Sequence, residues 1–292
     1  MSYLIATSST SDLPRTWLDE HNIPFISYGY TVNDQPRTDD CREESRAAIY
    51  AGMRKGDILT TSMINEYLYY DFFKGLMARG EDVIFLDMSV KMSVSFENCR
   101  KAAESIRTDF PDQRLYVMDT RCISGGLGLL VMYMVALQES GADFDTVVRW
   151  GEENKLKVAH RFTVNDLKYL KAGGRVSNAS ALVGAMLQIK PIIYVPDEGT
   201  LEVMKKVRGR AAAIGEIRDG VLRDVAGMDA RDVRITLLHA DCLADAELLK
   251  GELDAARPGA AVEITTLGVV IGAHCGPGFL AAVYLCDGRN SE

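Results

Sequence analysis

The chain has 292 residues, 47% of them hydrophobic and 25% charged, enough apolar material for two moderate cores and too much for a disordered chain. Its formal net charge of -8 argues against a nucleic-acid partner, because affinity for a phosphate backbone comes from lysines and arginines that displace counterions. No window approaches the roughly 20 apolar residues that span a bilayer, and the opening "MSYLIATSSTSDLP" lacks a basic segment followed by a continuous apolar one. A cytoplasmic protein is therefore expected. The six cysteines (Cys41, Cys99, Cys122, Cys242, Cys275, Cys286) show neither a CxxC pair nor zinc-type spacing, so they read as free thiols, and no metal site is expected.

The first half alternates short β-rich runs with helical patterns, which predicts βαβ units and a largely parallel sheet flanked by helices. "YLIAT" (Tyr3 to Thr7) is a strand, with Asp12 placed to cap the helix that follows; "IPFISYGYTV" is extended. "EESRAAIYAGMRKG" is a helix stopped by Gly56, and "NEYLYYDFFKGLMARG" is a second helix. Then come the strand "DVIFLDMS", a helix from about Ser93 to Arg107, the strand "RLYVMD", and a buried helix from about Gly126 to Ser140 that is apolar or small on nearly every side. After "FDTVVRWGEENK" the pattern changes at about Val158.

The second half reads as strand "VAHRFTV", helix "NDLKYLKAGG", small-residue helix "SALVGAML", and strands "KPIIYV" and "LEVMKKVRG" joined by a hairpin at Asp197 to Thr200. A helix "RAAAIGEIRDGVLRDVAG", the strand "VRITLLHA", a helix "ADAELLKGELDAA", and the strands "AVEITTLG" and "GFLAAVYLC" follow; "GVVIGA" before His274 also reads as a buried strand. The expected architecture is α/β, with domains at 1–157 and 158–292 and a ligand site in the crevice between them.

Catalytic motifs are missing. "SGGLGLLV" has Val131 where a dinucleotide fingerprint needs its third glycine, and there is no phosphate loop, nucleophile elbow or HExxH. The chain offers instead three hydroxyl-rich segments where a strand hands over to a helix: Thr7 to Ser11, Thr60 to Ser62, and Ser89 to Ser95. Singly, such residues are ordinary N-caps. Gathered at the carboxyl ends of parallel strands, they make an anion site, since helix N-termini and hydroxyls both donate. Ser93 opens a helix and is placed to cap and bind at once. With only Lys91 as a cation in these loops, a carboxylate suits them better than a phosphate. The aromatic stripe "YLYYDFF" and the small apolar runs "SALVGAMLQI" and "VVIGA" serve either as core or as walls of an apolar cavity.

Five segments resemble the DegV family, fatty-acid-binding proteins that present lipid to bacterial fatty acid kinase. "IATSSTSDLP", "LTTSMINEY", "DMSVKMSVSFENC", "LKYLKAGGRVS" and "IGAHCGPGFL" carry the resemblance, which covers about residues 3 to 286. It implies a DegV (EDD) fold of two α/β domains, with an acyl-chain tunnel whose head group lies at the domain cleft. By the same resemblance Thr61 and Ser93 bond the carboxylate, His274 lies beside it, and Ser62, Ser95, Gly276 and Gly278 belong to the supporting loops. Arg175, Arg208 and Arg210 would meet the kinase partner.

The chain departs from the family pattern at Ser8 for Asp, at Met63 and Ile64 for Gln and Pro, and at Val94 for Gly. Val94 is expected to narrow the backbone's approach to the head group. The implied function is non-catalytic: a long-chain fatty acid is held and offered for acyl-phosphate formation feeding phospholipid synthesis. No cofactor beyond the bound lipid is expected, a monomer is favoured, and transient contact with a membrane surface is compatible with this reading. The alternatives are a serine hydrolase or acyltransferase using Ser93 with His274, and a lipid sensor without a kinase.

Overall fold

The computed structural model describes residues 2–175 and 188–289. The helix expected at "SALVGAML" lies outside them. In chain order the first half comprises β1 (Tyr3–Ser8), α1 (Arg15–Glu20), β2 (Phe25–Ile26), β3 (Gly29–Val32), β4 (Gln35–Thr38), α2 (Glu43–Lys55) and β5 (Leu59–Thr61). It continues with α3 (Glu66–Met77), β6 (Asp82–Asp87), α4 (Ser95–Ile106), β7 (Leu115–Asp119), α5 (Gly125–Glu139) and α6 (Phe144–Asn154). The second half comprises β8 (Val158–Thr163), α7 (Leu167–Gly173), β9 (Ile189–Tyr194), β10 (Glu202–Arg208), α8 (Arg210–Asp224) and β11 (Arg234–His239). It ends with α9 (Leu243–Ala256), β12 (Ala261–Thr266), α10 (Val269–Cys275) and β13 (Leu280–Leu285).

Three sheets result. The first, in order β2-β1-β6-β7, is parallel throughout, and all six residues of β6 are buried, as a central parallel strand covered on both faces requires. The second, in order β10-β9-β8-β13-β11-β12, is mixed: only β11 and β12 run parallel. A small antiparallel sheet, β4-β3-β5, brings Thr61 opposite Tyr30. The expected hairpin at Asp197 to Thr200 joins β9 to β10, with Gly199 at φ 78°.

Helix α5 joins the two large sheets, packing on β1 and β6 of one and on β8, β11 and β13 of the other. That position explains its lack of a polar face. Its glycine-rich start is a packing device: a Cβ at Gly126 would sit 1.9 Å from the ring of the buried His160. The glycines that resembled a failed nucleotide loop therefore let two sheets approach one helix.

Several expectations need correction. "GVVIGA" is helix α10, not a strand: Val269, Val270, Gly272 and Cys275 are its buried residues, so tertiary packing overrides the β-propensity of the valines. Asp12 caps no helix. It is the left-handed residue ending a short 3-10 turn (Ser9–Ser11), its buried carboxyl accepts from Ser124 Oγ, and Pro14 precedes α1. The segment after Ala142 is a full helix, α6, capped by Asp143 accepting from Thr146 N–H at 2.8 Å. The short strands β4 and β5 were not anticipated.

A buried polar knot fixes the junction of the halves. Arg46 on α2 is fully buried, and its Nη1 donates to the carbonyls of Asp12 (3.1 Å) and Thr266 (2.8 Å), its Nη2 to that of Leu13 (3.1 Å). One turn on, Tyr50 Oη donates to the Leu267 carbonyl at 2.9 Å. The loop leading into α10 is thus held from α2. Burial pushes the Asp12 carboxyl up to about 7, with the Arg46 charge and the Ser124 hydrogen bond opposing the rise. Arg46→Met would strip donors from three carbonyls and take the cation away from Asp12. We predict a loss of about 3–5 kcal/mol in urea unfolding, and a loss under about 1 kcal/mol would contradict this reading of the knot.

Candidate functional site

A cavity of about 400 Å³ opens between the small antiparallel sheet, the loop after β6, and helices α7 and α10. This falls in the range of small-molecule sites, roughly 300–1,000 Å³. Its walls are mainly apolar, including Met88, Met92, Ile123, Phe162, Leu170, Leu201, Val270, Ile271 and Phe279. Its polar residues include Thr61, Ser62, Ser93 and His274, with Arg175 and Lys91 also on the lining.

Thr61 comes to the cavity from the last position of β5, not from a loop of the parallel sheet as expected. Its Oγ1 lies 2.9 Å from His274 Nε2, in hydrogen-bond contact. His274 occupies the last turn of α10, against the end of α7: a Cβ at Gly173 would stand 2.7 Å from His274 Nδ1. Gly174 then ends α7 in the left-handed conformation, and Arg175, whose Nη1 donates to the Gly173 carbonyl, turns onto the lining. The glycines of "AGGR" thus bring α7 onto the imidazole. Gly276 and Gly278, both at positive φ, do the same from the other side, since Cβ atoms there would meet Tyr169 at 2.1 Å and Asn165 at 2.5 Å. Burial first, and the Arg175 charge second, push the His274 imidazole down to about 4, so it is neutral at physiological pH.

Ser93 precedes α4 and does not cap it with a long-range bond: Val94 is the N-cap residue. Ser93 Oγ donates to Ser95 Oγ at 2.9 Å and accepts from Ser95 N–H at 3.2 Å. Ser95 is fully buried and accepts from Ile64 N–H at 3.0 Å, while Asn98 Nδ2 donates to the Ile64 carbonyl at 2.8 Å. The segment after Thr61 is thereby tied to the start of α4. Val94 lines the cavity but is 60% exposed, so its side chain stands at the rim and not across the backbone's approach, as had been expected.

Only two of the three hydroxyl segments reach the cavity. Thr7 to Ser11 are wholly buried and do not line it. Ser8 Oγ donates to Asp87 Oδ1 at 2.7 Å, and Tyr69 Oη to Asp87 Oδ2 at 2.5 Å. An Asp at position 8 would set one carboxylate against another, which accounts for the serine in this chain. The aromatic stripe of α3 is core: Tyr69 and Phe73 pack on Phe85, and Tyr67 is exposed. Of the proposed docking cations, Arg208 is exposed at the end of the edge strand β10, whereas Arg210 is bound to Asp245 at 2.9 Å and to Cys242.

Sequence reasoning missed Tyr28 and the apolar lining residues Phe162, on β8, and Leu201, just before β10. No motif marks them; only the fold carries them there. All six cysteines are free, and among the described residues no cluster of His, Cys, Asp or Glu could hold a metal. Among the described residues no helix is long and apolar enough to cross a membrane.

Comparison with known proteins supplies the relationship. The family model described as "Uncharacterised protein, DegV family COG1307" matches residues 2–287. A DegV domain-containing protein of Clostridium perfringens is 31% identical over 286 residues, 98% of each chain. The solved structure of a DegV family protein of Thermus thermophilus, described as fatty acid binding, is similar with a TM-score of 0.86 at 27% identity, covering 98% of this chain and 100% of that one. A Thermotoga maritima structure, described as revealing fatty acid binding function, has a TM-score of 0.84 at 25% identity over 98% of this chain and 99% of the other. With its whole fold matched and its cavity in place, the chain belongs to the DegV family.

Proposed function

We propose that this protein holds a long-chain fatty acid in the cavity, its carboxylate meeting Thr61, Ser93 and His274, and presents that carboxylate to a fatty acid kinase for acyl-phosphate formation feeding phospholipid synthesis. One observation carries the binding reading: the Thr61–His274 pair, 2.9 Å apart, and Ser93 share an otherwise apolar cavity. The fatty acid binding of the relatives from Thermus thermophilus and Thermotoga maritima supports it. Residues 1–157 and 158–292 serve as the two domains in this reading, the division falling just before β8 begins at Val158.

The chemistry divides between tail and head. Each buried methylene contributes roughly 0.8 kcal/mol, so a tail of about sixteen carbons offers on the order of 10 kcal/mol before ordering costs. The carboxylate needs donors, since an unpaired charge in a low-dielectric cleft is costly. A neutral imidazole donates through one N–H, Thr61 and Ser93 through their hydroxyls, and Arg175 supplies the nearby positive charge.

The hydrolase alternative fares worse. A nucleophile needs its base within hydrogen-bond reach, and here Ser93 bonds Ser95 while His274 bonds Thr61. For the kinase surface, Arg208 is the better candidate, because Arg210 is already engaged by Asp245.

We predict that Ser93→Ala or Thr61→Val weakens palmitate binding about tenfold or more in a fluorescent fatty-acid displacement assay, with the far-UV spectrum unchanged. Unchanged affinity in both variants would remove the head-group assignment. His274 should titrate near 4 by NMR in delipidated protein. Bound carboxylate favours the charged imidazole, so palmitate should raise that value; a midpoint near 6.5 without lipid, or no rise with it, would contradict the site. Arg208→Glu should leave palmitate affinity intact and lower acyl-phosphate formation by the kinase. An undiminished rate would refute docking at β10.

A further inference from the structure

Tyr28 carries a hydroxyl that the site as described does not use. The residue is 2% exposed and lines the same cavity as Thr61, Ser93 and His274, yet its Oη has no hydrogen-bond partner. Its backbone is pinned, the N–H donating to Ser9 Oγ at 3.1 Å and the carbonyl accepting from Asp39 N–H at 3.0 Å. The ring is therefore held in place. Ser95, Tyr69 and Ser93 stand near enough to Oη to lower the phenol's pKa as hydrogen-bonding neighbours, yet none is placed for a hydrogen bond of good geometry. Burial, then the neighbouring Asp87 charge, raise the phenol's pKa, so it stays protonated and available as a donor.

Buried polar groups in folded proteins are nearly always paired, and an orphan one asks what pairs it. Ser93 supplies an answer. Its single proton goes to Ser95 Oγ. To donate to an acidic ligand, Ser93 must turn that proton away from Ser95, and the rotation re-aims its remaining lone pair toward the Tyr28 side. We propose that Tyr28 is a positioning residue for the acyl head group and acts through Ser93: as Ser93 turns its proton to the ligand's carboxylate, the Tyr28 hydroxyl donates to Ser93 Oγ. A hydroxyl that accepts a hydrogen bond is a stronger donor, so the phenol both replaces the contact given up and strengthens the new one. The inference rests on the fatty-acid reading above.

The test is a double-mutant cycle on delipidated protein, with palmitate displacing a fluorescent fatty acid from wild type, Tyr28→Phe, Ser93→Ala and the double variant, alongside the thermal midpoint of each without lipid. Tyr28→Phe should weaken palmitate about 5- to 20-fold and add little to the loss already caused by Ser93→Ala. Without lipid, Tyr28→Phe should melt at or above the wild-type temperature, because the hydroxyl it removes makes no hydrogen bond. Wild-type affinity in Tyr28→Phe, a full additional loss on top of Ser93→Ala, or a lowered midpoint without lipid would each overturn the role. Failure of the wild type to bind palmitate at all would instead overturn the fatty-acid reading, and this inference with it.

Discussion

Everything at the site depends on Arg46, a guanidinium sealed inside the protein and shared among three carbonyls from two distant parts of the chain. Together with Tyr50 it fixes the turn after β12, and that turn sets where α10 begins. Helix α10 is only seven residues long, so the position of its first residue decides where His274 lands. The hydrogen bond between His274 and Thr61 then joins the second half of the chain to the small antiparallel sheet of the first. A buried charge outside the cavity lining thus helps set the geometry of an uncharged pair inside it.

The polarity around the cavity is graded. Neutral donors, Thr61, Ser93 and His274, share the lining with apolar walls, and Arg175 stands beside the imidazole. The buried Asp87, which does not line the cavity, accepts hydrogen bonds from Ser8 and Tyr69, and burial raises its carboxyl to about 6. This suits a single carboxylate on an apolar chain. A phosphate, with more charge and more oxygens, would call for a cluster of cations that the lining, with Arg175 and Lys91, does not provide.

Much of the fold was legible because periodicity is a direct imprint of burial. The apolar run Val83 to Leu86 of β6, the faceless α5 and the β9–β10 hairpin all follow from patterns in the chain. What misled were residues whose environment is set by distant partners. The valines of α10 have strand propensity, but the helix is imposed by packing on α7, and Gly272 lets it lie against Tyr50, whose Oη a Cβ there would meet at 2.1 Å. Asp12 looks like a cap and is instead part of a buried knot with Ser124 and Arg46. At the cavity, motif resemblance pointed to Thr61, Ser93 and His274, and all three line it. Tyr28 was not legible, since a tyrosine in an extended run carries no local signal of which wall it will join.

The central claim is that the cavity holds a fatty acid. Mass spectrometry of lipid extracted from freshly purified protein addresses it most directly, because a ligand with most of its surface buried should survive purification. The expected result is a stoichiometric amount of a straight or singly unsaturated long-chain carboxylic acid, depleted when Thr61 and Ser93 lose their hydroxyls. Recovery of a different ligand class, such as a nucleotide or a sugar phosphate, or of a protein that neither carries nor takes up fatty acid, would contradict it.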